Sequence, residues 1–172
     1  MEGSIKIAKE IAKERNYFFT DQFNNPSNLK AHEKTAQEIL DQTDKIDAFV
    51  AGIGTGGTLI GIGKVLKEYF PDMKIYGVWA KEPFGQHKIE GISDGFIPKF
   101  IKDYEYLIDD FIKIASDDAI EMAKKLAKKG YFVGVSSGAN FLAAKILKKK
   151  YKNVLTVFPD NAYRYFSESF KL

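Results

Sequence analysis

A short, mostly apolar run, residues 47–51 (DAFVA), passes directly into Gly52-Ile53-Gly54-Thr55-Gly56-Gly57-Thr58 and then into a helical pattern over 58–69. A buried strand that glycines deliver onto a helix N-terminus is the first half of a parallel βαβ unit. The rest of the chain repeats the alternation. Residues 73–79 (MKIYGVW), 111–114, 131–135 and 154–158 read as further strands, and 17–19 (YFF) as a short run of strand type. Helical spacing marks 4–16, 28–40, 116–128 and 137–149, with a final helical turn over 162–166. Ser4 and Ser116 are placed to cap their helices, and Gly130 to end one. Residues 21–27 form a loop, and 81–100 an irregular connection. The expected fold is α/β: an open, mostly parallel sheet with helices on both faces.

Charge narrows the class of ligand. The chain carries 26 basic and 23 acidic residues, net +3, and all the basic ones are lysine except Arg15 and Arg164. Arginine is the preferred reader of bases and nucleic-acid phosphates, so its near absence argues against a nucleic-acid surface. The densest run, Lys148-Lys149-Lys150 with Lys152, suits the solvated last turn of a helix. There is no cysteine, and hence no disulfide or thiolate chemistry. No apolar run is long enough for a membrane helix, and the N-terminal segment is charged and amphipathic. A cytoplasmic protein with no membrane partner is expected.

The glycine segment at 52–58 favours an anion over a bare tight turn. Glycines admit close approach to the backbone, unpaired N–H groups at the helix start point at the ligand, and Thr55 and Thr58 add hydroxyls. Gly52, Gly54 and Gly57 match G-x-G-x-x-G. That fingerprint needs a carboxylate at the end of the next strand to hold a ribose, and here the strand ends Gly77-Val78-Trp79-Ala80, with Glu82 beyond it. Gly63-Lys64 is followed by Val65 rather than Ser or Thr, which excludes a nucleotide P-loop. A small molecule held by one phosphate is the expected ligand.

Gly134-Val135-Ser136-Ser137-Gly138 matches the G-x-S-x-G nucleophile elbow. In that fold the base histidine follows the serine, whereas His32 and His87 both precede it. The serine then either caps a helix or offers its hydroxyl to a ligand at the carboxyl ends of the strands, where the glycine turn also points. Residues 87–98 (HKIEGISDGFIP) follow no regular period; they form either an ordered functional loop or a bulky connection. Neither histidine has metal-ligand spacing, so no metal is expected.

Taken together, these motifs resemble the cysteine synthase family, the O-acetylserine sulfhydrylases. Gln22-Phe23-Asn24-Asn25-Pro26 resembles Q-F-x-N-P, 47–58 the phosphate-loop segment, and 87–98 H-K-I-x-G-I-x-x-G-F-I-P; 134–140 (GVSSGAN) and Pro159-Asp160 with Arg164-Tyr165 complete the set. The resemblance implies a tryptophan-synthase-β-like fold and a pyridoxal 5'-phosphate cofactor. Gly54, Thr55, Gly56, Gly57 and Thr58 would cradle the cofactor phosphate, and Ser136 would hydrogen-bond the pyridine nitrogen. A neutral hydroxyl there does not force that nitrogen to be protonated, which leaves the ring a weaker electron sink and favours loss of a β-leaving group over transamination. Gln22 would help hold the substrate carboxylate, and Gly91 would line the substrate cleft. The family replaces the acetyl group of O-acetylserine by sulfide, giving cysteine.

The resemblance covers only the C-terminal part of the family's length. The Schiff-base lysine, the asparagine beside the cofactor hydroxyl and the loop that clamps the substrate carboxylate belong to a segment that precedes this one. No catalytic residue is therefore expected within these 172 residues, and the isolated chain is expected to be inactive without a complementary N-terminal segment. Residues 1–26 would be a remnant of the smaller, mobile domain (a helix and a short strand), and 27–172 the larger domain that binds the cofactor phosphate. The family is commonly dimeric. Three features differ from its usual pattern: Val78-Trp79-Ala80 for V-E-P, a short connection over 81–86, and Ser93-Asp94 in place of small residues. Two other functions compete: a non-catalytic subunit for phosphate binding or assembly, and a nicotinamide-dependent enzyme, the latter disfavoured by Trp79-Ala80.

Overall fold

The computed structural model describes residues 2–83, 85–92 and 95–165. Ser93, Asp94 and Phe166 lie outside the described residues. The elements in chain order are α1 (Glu2–Glu14), α2 (Ser27–Leu40), β1 (Ala48–Gly52), α3 (Gly57–Tyr69), β2 (Lys74–Ala80), α4 (Lys99–Asp103), β3 (Asp110–Ile114), α5 (Ser116–Ala127), α6 (Val135–Leu147) and β4 (Val154–Thr156). Single 3-10 turns lie at Glu105–Leu107 and Ala162–Tyr165.

The four strands form one parallel sheet in the order β3-β2-β1-β4. Ala48 stands opposite both Lys74 of β2 and Val154 of β4, and Tyr76 opposite Asp110. Alternate residues face opposite sides. Phe49, Ala51 and Ile75 join one core with Leu59, Ile62 and Leu66 of α3, while Ala48, Val50 and Val78 join the other with Ala139 and Ala143 of α6. With both faces covered, β1 reads as unbroken apolar sequence rather than as an alternation. Complete burial of Phe49 alone contributes about 2–3 kcal/mol of apolar transfer energy. Two glycines permit the helix pairs to close. A Cβ on Gly61 would lie 2.6 Å from the Leu29 carbonyl oxygen of α2, and one on Gly138 would lie 2.1 Å from that of Ala119 in α5.

Carboxylates tie down the amino ends of the strands. An Asp47 oxygen accepts the Asn153 N–H at 2.6 Å. Asp109 accepts the Ile75 N–H at 2.9 Å and pairs with Lys74 at 2.9 Å. Burial pushes the Asp109 carboxyl up, but the bonds from Lys74 and Ile75 outweigh it and hold the group below its ordinary range.

Several sequence expectations are corrected. Residues 17–19 are not a strand: Asn16 turns the chain with φ 51, Tyr17 donates back to Ala12, and among the described residues no partner strand lies alongside Tyr17 or Phe18, which are exposed. Residues 131–135 are not a strand either. Tyr131 and Val133 donate their N–H groups to Leu126 and Tyr131, which leaves a single antiparallel bridge from Val133 to Asn161. Ser4 lies inside α1 rather than capping it. Ser116 is the first residue of α5, with Ala115 at the cap, and its Oγ accepts the Lys88 N–H. The connection over 81–100 runs into α4, which the sequence reading did not mark. No described side chain of α1 is buried. No helix among the described residues is long and apolar enough to cross a membrane.

Candidate active site

A cleft of about 560 Å³ opens at the carboxyl end of β1, within the size range of small-molecule sites. Gln22, Gly54, Thr55, Gly56, Gly57, Thr58, Gly91 and Ser136, all singled out from sequence, line it together. So do Gly52, Glu90, Ile92, Asn140, Pro159 and Asp160.

One wall is the N-terminus of α3. Gly56 occupies its cap position in the left-handed region, with φ 88, a conformation that side chains resist. No cap side chain covers the helix end. The Gly57 N–H donates to Thr55 Oγ1 at 3.1 Å, and that oxygen also accepts from Asn28 Nδ2 at 2.9 Å. With both bonds accepted, the Thr55 hydroxyl hydrogen is available to a ligand. Among the described residues no group accepts the N–H groups of Thr58 or Leu59. Unpaired N–H groups at the positive end of a helix dipole make an anion cradle. The loop is also pressed against its neighbour: a Cβ on Gly54 would stand 2.4 Å from the Gly91 carbonyl oxygen.

Sequence reasoning missed two residues behind this wall. Asn28 spans from Thr55 to the Gln22 carbonyl oxygen, which its Nδ2 reaches at 2.7 Å. His32, one turn later on α2, places Nε2 3.2 Å from Thr58 Oγ1. Burial pushes the half-buried His32 imidazole below its usual range, toward the neutral form. The available signal was their spacing: an Asn and a His four apart on the helix face that meets α3.

The opposite wall is the start of α6. Ser136 Oγ lies 3.5 Å from Asp160 Oδ1, the long limit of a hydrogen bond. One turn on, Asn140 is fully buried: Nδ2 donates to the Val157 carbonyl oxygen at 2.9 Å, while Oδ1 has no hydrogen-bond partner. Asn140, too, was not singled out from sequence. Glu82 does not reach the cleft. Its Oε1 accepts the Ser116 N–H at the start of α5, and although burial pushes its carboxyl up, that bond wins and holds it below its usual range. No carboxylate therefore stands at a ribose position by way of Glu82. Neither histidine lines the cleft, so Ser136 has no imidazole base there. Among the described residues no lysine lines it either, and no group of three or more His, Asp and Glu is placed to hold a metal.

The donor set fits a phosphorylated ring compound. The α3 end and the Thr55 and Thr58 hydroxyls suit a phosphate, and Ser136 across the cleft offers a neutral hydroxyl. Comparison with known proteins places the chain in a family. The chain is 45% identical to cysteine synthase B of Campylobacter jejuni, over 97% of this chain and 59% of the relative. It is similar to the crystal structure of an O-acetylserine dependent cystathionine beta-synthase from Helicobacter pylori, with TM-score 0.91 and 39% identity, over 99% of this chain and 60% of the other. It is also similar to a hydrogen sulfide-producing enzyme from Fusobacterium nucleatum, with TM-score 0.89 and 42% identity, over 96% of this chain and 54% of the other. The chain thus spans a little over half the length of these relatives. The family model for pyridoxal-phosphate dependent enzymes matches residues 1–160, and the chain belongs to that family.

Proposed function

We propose that this chain forms the cofactor-phosphate half of a β-replacement enzyme of the cysteine synthase type, which exchanges the acetyl group of O-acetylserine for sulfide. One observation carries the reading. The uncapped α3 end with its two threonines and the Ser136 hydroxyl face each other across a single cleft. When bound, pyridoxal phosphate supplies a carbonyl that takes the substrate amine and a ring that draws electron density from the α-carbon.

The chain's own residues bind, orient and hold charge. The N–H groups of Thr58 and Leu59 and the hydroxyls of Thr55 and Thr58 hold the phosphate, with Gly54 and Gly56 shaping the loop around it. Gly57 keeps α3 against Asn28: a Cβ there would stand 2.0 Å from Asn28 Oδ1. Ser136 gives the ring nitrogen a neutral hydrogen bond. Gln22 helps hold the substrate carboxylate, and Gly91, whose φ is 83, lets the 87–92 segment line the substrate side without a side chain.

The lysine-free cleft wall supports a second part of the proposal: the covalent anchor and α-proton base come from a complementary segment. The exposed Ile7 and Ile11 of α1 belong, on this reading, to the smaller domain which that segment completes. Assembly as a homodimer is also part of the reading.

The test is a pyridoxal phosphate titration of the purified chain, followed by borohydride reduction and intact-mass analysis. Reversible binding without an adduct, weakened by Thr55→Ala, is expected. A reducible adduct on a single lysine overturns the assignment of the anchor to another segment, and no binding overturns the site. Cysteine formation from O-acetylserine and sulfide should appear only on mixing with the portion of a cysteine synthase that this chain does not span.

A further inference from the structure

We infer that His32 is a positioning residue for the bound anion: its Nε2 decides whether the Thr58 hydroxyl hydrogen points at the anion or away from it. The inference rests on the phosphate reading of the cleft and adds a proton to it. Thr58 Oγ1 lies 3.2 Å from His32 Nε2 and has one hydrogen to give. If Nε2 is bare, it takes that hydrogen, and Thr58 turns a lone pair to the cleft. If Nε2 carries a proton, it donates to Thr58, and the hydroxyl hydrogen is released toward the anion. Among the described residues nothing hydrogen-bonds to Nδ1, so the protein does not pin the tautomer. A bound anion therefore selects the form with a proton on Nε2, and doubly protonated imidazolium satisfies it best.

The surroundings leave the ring free to respond. On α3 it faces Thr58 and the bare side of Gly61, where a Cβ would stand 2.7 Å from His32 Cβ. Burial alone accounts for the depressed basicity. The charged groups on the elements around it are Lys30, Glu33 and Lys34 on α2, Lys64 on α3, and Asp21 in the segment before α2. A dianion at the α3 end would favour the charged imidazolium and so oppose burial.

The sign follows from linkage. Because the anion raises the pKa of His32, the extra affinity is complete below the free-state pKa and is lost as pH rises through the bound-state pKa. The test uses sulfate, whose double negative charge does not change between pH 5 and 8.5. The chain has two histidines, so its imidazole C2 protons give two NMR signals, which His32→Gln assigns. With sulfate the His32 midpoint should rise by about one pH unit, and sulfate affinity should fall about tenfold across that window. His32→Gln, whose amide can donate to Thr58, should keep binding with a flat pH profile, whereas His32→Leu should bind more weakly throughout. If sulfate shifts the backbone amides of 54–58 while the His32 midpoint stays put and the pH profile matches that of His32→Gln, the inference is wrong and the anion site stands. If those amides do not respond at all, the phosphate reading falls and takes the inference with it.

Discussion

Gly138→Ala should destabilise the protein although it improves helix propensity. The added Cβ would stand 2.1 Å from the Ala119 carbonyl oxygen and 2.9 Å from the Ala123 nitrogen, both α5 backbone, where real Cβ contacts essentially never come under 3.0 Å. No rotamer change relieves this, so α6 must move off α5 by roughly 1 Å, and overpacking of this kind costs about 1–3 kcal/mol. With backbone on both sides of the clash the upper end applies. Replacing a helix-interior glycine by alanine returns about 1 kcal/mol. The net loss is about 2 kcal/mol, which at a urea slope near 2 kcal/mol per molar lowers the midpoint by about 1 M. Gly3→Ala is the control, because its Cβ meets nothing within 4 Å and the site is exposed on α1. An unchanged or raised midpoint for Gly138→Ala would refute the packing argument. Since α6 also carries Ser136, the same variant should bind pyridoxal phosphate more weakly.

The other expectations separate binding from stability. Gly54→Ala drives a Cβ to 2.4 Å from the Gly91 carbonyl oxygen, so pyridoxal phosphate affinity by absorbance titration should fall at least about tenfold, a loss near 1.4 kcal/mol. Asp109→Asn should cost about 1–2 kcal/mol at pH 7 by loss of its charge-assisted bonds. Because the native carboxyl is held below its unfolded value, that stability is present above the unfolded pKa and lost as pH falls through the native one, so urea curves of variant and parent should converge as pH is lowered through that range. Ser137 Oγ is buried without a hydrogen-bond partner, so Ser137→Ala should be neutral or up to about 1 kcal/mol stabilising in a urea melt. Its neighbour behaves otherwise: Ser136→Ala should leave the melt nearly unchanged and alter the absorption spectrum of bound pyridoxal phosphate.

Legibility tracked the sequence distance over which a feature is decided. The β1–glycine–α3 unit was readable because the apolar run, the glycines and the helix pattern are contiguous, and the eight residues picked from motifs do line one cleft. The run at 17–19 has strand composition, but a strand needs a partner ladder, and among the described residues none lies beside it. At 131–135 the donors are spent locally on Leu126 and Tyr131, which no propensity reveals. Asn28 and His32 act on Thr55 and Thr58 from 27 and 26 positions away, and only the closure of α2 on α3 makes them neighbours. Ser116 resembled a cap in isolation, but its hydroxyl is taken by Lys88 and its N–H by Glu82.

The two ends of the sheet also divide the work. At the amino ends, Asp47 and Asp109 find backbone donors, and the pairing of Asp109 with Lys74 adds an ion pair. At the carboxyl ends, the N–H groups of Thr58 and Leu59 and Oδ1 of Asn140 lack partners among the described residues. Leaving such groups unpaired costs about 1–3 kcal/mol each where they are buried. A ligand that satisfies them is held by energy the free protein has already forgone, so changes to the carboxylates at the amino ends should read out in melting, and changes to the groups that meet the ligand in affinity.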